Sequence, residues 1–291
     1  MTSSTLPVEG SPHGPDLAPL VDRRVRVIRP AKRRITVRQL LGIGDVVRVL
    51  AARDMKVKYK QSILGPLWLV FQPLALLAAF IIAFRSLGDV KTGNIPYAVF
   101  ALVGLSAWSY FQAALTICVP SMISNINLVR WTPVPRLALL ISGLISSLPS
   151  FGITAAAAII SAAVTGHLSA RVLLLPVSVV WLTVLTIGPA AILAGLAVRF
   201  RDVISLLPFL LQLGSFVAPV GYALAGLSHT ARTIVEINPL TGLMEVMRWT
   251  MLSGYRPDLT PIFISAALTV VLTGSGWYVF GRLEPTMADV I

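Results

Sequence analysis

Four cations, Arg53, Lys56, Lys58 and Lys60, crowd into eight residues just ahead of a long uncharged apolar run that starts at Pro66. Guanidinium and ammonium groups at that spacing suit the phosphates of an anionic lipid surface. Inside the run, Trp68, Phe71 and Gln72 bring together aromatic faces and a neutral amide. That mixture can recognise sugar, since aromatic faces cover the C–H side of the rings and amides bond the hydroxyls. Other apolar runs hold the same residue types, Trp108, Phe111 and Gln112 among them. Each set also has a plainer reading, with the aromatics as packing or interface anchors and the amides as bonds between helices. The residue types leave both readings open.

Other chemistry is hard to find. The chain has no GxxxxGK[ST] pattern to cradle nucleotide phosphates, and no HExxH, CxxC or GxSxG. His13, His167 and His229 have no metal-ligand spacing, and the single cysteine, Cys118, lies in an apolar stretch, so no metal site or internal disulfide is expected. The acids Asp89, Glu236, Glu245 and Asp258 are scattered, which argues against an enzyme.

The elements that must position these groups follow from hydropathy. The 291 residues are 56% hydrophobic and only 12% charged, where a soluble domain carries about 25% charged residues. Mean hydropathy is +0.82. Six segments, 66–84, 97–119, 137–166, 172–198, 203–228 and 261–281, contain no Asp, Glu, Lys or Arg. Each is close to the roughly 20 apolar residues needed to cross a bilayer. The expected fold is therefore an all-α integral membrane protein with six transmembrane helices. Prolines inside several of them (Pro73, Pro149, Pro189, Pro208, Pro219) predict kinks or irregular ends. An ion-coupled carrier is disfavoured, because none of the six buries an ionisable relay.

The net charge of +12 is concentrated ahead of the first span, which holds 13 of the 24 Lys and Arg. Such a block marks the cytoplasmic side of a membrane protein, and no nucleic-acid motif accompanies it. Placing the N-terminus inside puts 18 cations in cytoplasmic stretches against 6 outside. Both termini are then cytoplasmic. A signal peptide is not expected, since about 65 polar and amphipathic residues precede the first apolar run. Residues 1–35, rich in proline and arginine, read as a disordered basic tail. From Thr36 to Lys60, Leu40, Ile43, Val47 and Leu50 share one face while Arg38, Asp45 and Arg48 share another. This predicts an amphipathic helix lying on the inner leaflet, available to dock a cytoplasmic partner.

Residues 229–254 are too polar to cross and too apolar for a plain loop. The chain breaks at Asn238-Pro239, because a residue before proline is pushed out of the helical region. A second short helix then carries Leu240, Leu243, Met247 and Met251 on one face, with Glu245 and Arg248 as an i,i+3 pair. Two short re-entrant helices between spans five and six, dipping into the outer half of the membrane and lining a pathway, are expected.

In order along the chain, RDMKVKYKQSILGPLWLVFQPL (53–74), VRWTPVPRLAL (129–139), RFRDV (199–203), NPLTGLMEVMRW (238–249) and GRLEPTMADVI (281–291) resemble the membrane subunits of polysaccharide-exporting ABC transporters, the O-antigen, teichoic acid and cell-wall galactan exporters. The resemblance implies a bacterial plasma-membrane permease that pairs with a second copy of itself and is driven by two copies of a cytoplasmic ATPase. ATP and Mg would be bound by that partner, with no cofactor in this chain. It implies a polyprenyl-diphosphate-linked polysaccharide as cargo, moved from the cytoplasmic to the outer face. Carried over by position, Arg53, Lys56, Lys58 and Lys60 would meet the lipid diphosphate or the ATPase. Arg130, Arg136, Arg199, Arg201 and Asp202 would form the ATPase contact. Asn238, Pro239, Glu245, Arg248 and Trp249 would belong to an outer gate. Trp68, Phe71, Gln72, Trp108, Phe111 and Gln112 would line the glycan path. The membrane half of a drug or small-lipid efflux ABC transporter is the competing class, with a closed apolar seam in place of an aromatic-lined channel.

Overall fold

The computed structural model describes residues 37–60, 65–86, 92–126, 128 and 136–290. They are almost entirely helical. The helices are α1 (Val37–Lys60), α2 (Trp68–Ser86), α3 (Tyr97–Cys118), the single turn α4 (Ser121–Ser124), α5 (Leu137–Ser146) and α6 (Leu148–Val164). They continue with α7 (Leu175–Arg199), α8 (Asp202–Val217), α9 (His229–Glu236), α10 (Pro239–Met251) and α11 (Leu259–Val290). Arg130 and residues 1–36 lie outside the described residues, as do the side chains of Lys58 and Lys60.

Helix α3 occupies the centre. Both its faces are apolar or small, so most of its residues are buried, and α2, α5, α6, α7, α8 and α10 all pack on it. The most extensive helix pairing is α7 with α11. There the backbones touch, because a Cβ at Gly276 would lie 2.7 Å from the Gly188 carbonyl oxygen, and one at Gly188 would lie 2.8 Å from the Thr273 nitrogen. Small residues permit such approach, and polar side chains then bond across it. Trp181 Nε1 donates to Thr269 Oγ1 at 3.0 Å, and Thr273 Oγ1 donates to the Val184 carbonyl at 2.9 Å.

Among the described residues, four stretches are long and apolar enough to cross a membrane: Tyr97–Cys118, Leu137–Val164, Ala170–Arg199 and Leu259–Leu283. Trp68–Ala83 and Asp202–Val217 are apolar but shorter. At 1.5 Å per residue a 16-residue helix such as α8 reaches about 24 Å, short of the roughly 30 Å hydrocarbon core. The 203–228 segment therefore differs from a continuous span, and Pro219 is the reason. Ala218 before it is extended, with ψ of 138°, which ends α8.

Helix α1 forms over the stretch where its periodicity predicts one. Val47, Leu50 and Ala51 are buried on the face that packs against α5, while Asp45, Arg48 and Val49 are exposed. The short pair after α8 also appears as two helices broken at Asn238-Pro239. The Asn238 side chain accepts from the Leu240 amide at 3.0 Å, and Pro239 occupies the first turn, where its missing N–H is no loss.

Candidate functional site

At the end of the molecule that carries α9 and α10, two charged side chains are buried. Helical periodicity puts Leu240, Leu243, Met244, Met247 and Met251 into the core, and the same helix turns Glu245 and Arg248 inward. Arg248 is 0% exposed. Its Nη2 donates to the carbonyls of Pro219 and, at 3.1 Å, Val220. Its guanidinium carbon lies 3.8 Å from the centroid of the Phe100 ring, and Nη1 is 3.5 Å from Glu245 Oε1. Among the described residues Nε and Nη1 have no hydrogen-bond acceptor, so the ring and the nearby carboxylate supply the remaining compensation for lost water. Gly104 makes the room, since a Cβ there would meet Arg248 Nη2 at 3.0 Å.

Glu245 works in the opposite direction. Oε1 accepts from the Tyr255 hydroxyl at 2.8 Å and Oε2 accepts from the Asp258 amide at 3.1 Å. Burial pushes the Tyr255 phenol well above its ordinary pKa, and Glu245 reinforces this, so the hydroxyl remains a donor. One pair of charges thus fixes two loops to α10, residues 218–220 through Arg248 and residues 255–258 through Glu245.

Three further ties hold this end. Leu168 and Leu252 form an antiparallel bridge, flanked by bonds from the Ser169 amide to the Met251 carbonyl (3.0 Å) and from the Ser253 amide to the His167 carbonyl (2.7 Å). Arg171 stacks 4.6 Å from the Trp249 ring and donates to the Leu252 carbonyl at 3.2 Å. On α9, Arg232 donates to Glu236 at 2.6 Å and also to Asp258, which joins α9 to the turn before α11. The first of these bonds raises the pKa of Arg232 further. Of the expected gate residues, Asn238 and Pro239 start α10, Glu245 and Arg248 form its buried pair, and Trp249 takes the Arg171 stack.

The six residues expected to line a glycan path separate into two groups. Trp68 and Phe71 are 45% and 57% exposed, with their rings edge to face at 5.5 Å, and Gln72 is exposed beside them on α2. Trp108 is only 3% exposed, and its indole fills the seam between α3 and α8, where a Cβ on Gly214 would approach it to 2.8 Å. Phe111, 5.7 Å from Trp108, and Gln112 are half-buried.

At the α1 end, Arg53 is already engaged. It donates to Asp54 at 2.8 Å and to the Asn125 side-chain oxygen at 2.6 Å, tying α1 to the turn after α4. Lys56 is exposed. Arg136 begins α5, half-buried, and Arg199, Arg201 and Asp202 stand exposed at the corner between α7 and α8. Asp202 occupies the first turn of α8, where a carboxylate suits the helix dipole.

Residue types alone hid the burial of Arg248. A buried arginine needs free carbonyls and an aromatic face, and these come from Pro219, Val220 and Phe100, distant in the chain. The helical register was the one available signal, since Arg248 lies one residue from Met247 and three from Met251 on an otherwise apolar helix.

Residues 45–252 match the model of the ABC-2 type transporter family, a class of membrane transporters. The chain belongs to that family. Among curated proteins it is similar to the O-antigen export system permease protein RfbA of Klebsiella pneumoniae, with 26% identity over 249 residues, 85% of this chain and 95% of that one. It is equally similar to the RfbA permease of Myxococcus xanthus, with 26% identity over 258 residues, 88% and 98% of the two chains.

Proposed function

We propose that this chain is the channel-forming permease of a bacterial ABC transporter that exports a polyprenyl-diphosphate-linked polysaccharide across the plasma membrane. The observation that carries this reading is similarity to O-antigen export permeases along nearly their whole length. Two copies form the channel, and two copies of a separate ATPase supply the energy, binding ATP and Mg themselves. The N-terminus and α1 lie on the cytoplasmic side. Helices α2 and α8 complete a set of six spans, with Pro73 and Pro208 inside them and α8 ended early ahead of Pro219. Helices α9 and α10 enter the outer half of the membrane without crossing, which the 13-residue length of α10 supports.

Within that frame, Trp68, Phe71 and Gln72 face the glycan, with Phe111 and Gln112 deeper. Their exposure on the protomer supports the role, and the burial of Trp108 argues for packing at that position. Lys56, Lys58 and Lys60 meet diphosphate or ATPase at the inner surface. Arg130, Arg136, Arg199, Arg201 and Asp202 form the ATPase contact.

Depletion of the protein in its host, followed by extraction of lipid-linked material, tests the reading. A diphosphate-linked glycan should accumulate on the cytoplasmic face. Retention of a small amphiphile with normal surface glycan would instead identify an efflux system.

A further inference from the structure

A recess of about 940 Å³ opens at the α10 end, between the turn before α3, the loop after α8 and the loop joining α10 to α11. That volume is at the upper end of small-molecule sites. Its wall carries Asn94, Arg232, Glu245, Tyr255, Arg256 and Asp258, with His167 at one side. Two cations, Arg232 and Arg256, balance two carboxylates, Glu245 and Asp258, in the lining. A phosphate site would be cationic, and among the described residues no cluster of His, Cys, Asp or Glu could hold a metal. Alternating donors and acceptors beside one phenol ring match the hydroxyls and C–H face of a neutral sugar.

The wall is also held in place. Glu245, fixed by α10, accepts from Tyr255 and from the Asp258 amide, and Asp258 in turn accepts from Arg232. Such bonds preset the groups that would meet a ligand. Gly93 and Gly254 lie in the wall with φ of +67° and +76°, in turns that other residues adopt only with strain. A Cβ at either would meet nothing within 4 Å, so the glycines serve the turns and the space beyond them is open. The side chains of Asn94 and Arg256 have no hydrogen bond within the described residues, which leaves an amide and a guanidinium to donate to a ligand.

We propose that this recess is a saccharide-binding site in each protomer, taking neutral sugar residues of the emerging glycan at the outer face. The inference rests on the export reading above and names a place where cargo is held apart from the channel itself.

The test uses the full chain in lipid nanodiscs and saturation-transfer NMR with short neutral oligosaccharides of hexose and hexosamine, with inorganic diphosphate in parallel. At least one neutral oligosaccharide should bind. Asn94→Trp, at an exposed position where folding is not at stake, should weaken that binding at least about tenfold, and Arg256→Ala should weaken it less. Diphosphate should not compete. The proposal is overturned if no neutral oligosaccharide binds, if Asn94→Trp binds as the wild type does, or if diphosphate displaces the sugar. Surface glycan in a deletion strain is scored separately. Normal glycan there sinks the export reading, whereas lost glycan in the deletion with unchanged sugar binding by Asn94→Trp sinks the recess alone.

Discussion

The two ends of the molecule use charge in opposite ways. At the α10 end, Glu245 and Arg248 are withdrawn from water and each fixes a loop. At the α1 end, Lys56, Arg199, Arg201 and Asp202 are exposed, while Arg53 bridges two elements there. Burial separates the roles: a charge sealed inside the fold is committed to holding it, and a charge left in water is free to meet something else. Cost explains the asymmetry, since a desolvated ion must be fully compensated by neighbours and an exposed one need not be.

The largest effect that bears on this contrast is expected for Arg248→Met. Removing one member of a buried pair costs about 3–5 kcal/mol, and thermal unfolding in detergent should show the loss. Adding Glu245→Gln should recover part of it, because no lone carboxylate then stays buried; a double variant no better than the single one would break the comparison. Gly188→Val comes next, at about 1–3 kcal/mol, because its side chain would enter the α7–α11 contact; a neutral result would show that the two helices can separate at no cost. Arg53→Ala should cost about 1 kcal/mol or less while raising hydrogen exchange across α1, which would mark Arg53 as the structural exception at its end. Smallest in stability is the pair Trp68→Ala and Phe71→Ala, within about 0.5 kcal/mol for exposed sites. Their effect should fall on glycan export, measured as surface polysaccharide. Unchanged export would assign these rings to lipid.

Much of the architecture was legible in the residues. The face of α1, the break at Asn238-Pro239 and the apolar side of α10 follow from local rules that depend on neighbours a few positions away. Span number was less accessible, because hydropathy reports apolar content and Pro219 controls where the helix stops. The aromatic residues were the hardest to read. Trp68 and Trp108 each precede a Phe-Gln pair by three residues in an apolar run, and only the packing of α8 against α3 buries the second. Arg248 belongs to the same class of difficulty, since its acceptors are some thirty residues back in the chain. Long-range partners leave no mark on a local pattern.

The bridge between Leu168 and Leu252 also sets an order of events during synthesis. Leu252 reaches Leu168 only after residues 169–251 have left the ribosome, a delay on the order of 4–17 s at about 5–20 residues per second. Arg248 emerges into a chain that already contains Phe100, Pro219 and Val220. Glu245 must wait for Tyr255 and Asp258. The nascent polypeptide can therefore seat its cation first and its carboxylate last, and translation arrested between residues 248 and 255 would leave this end half assembled.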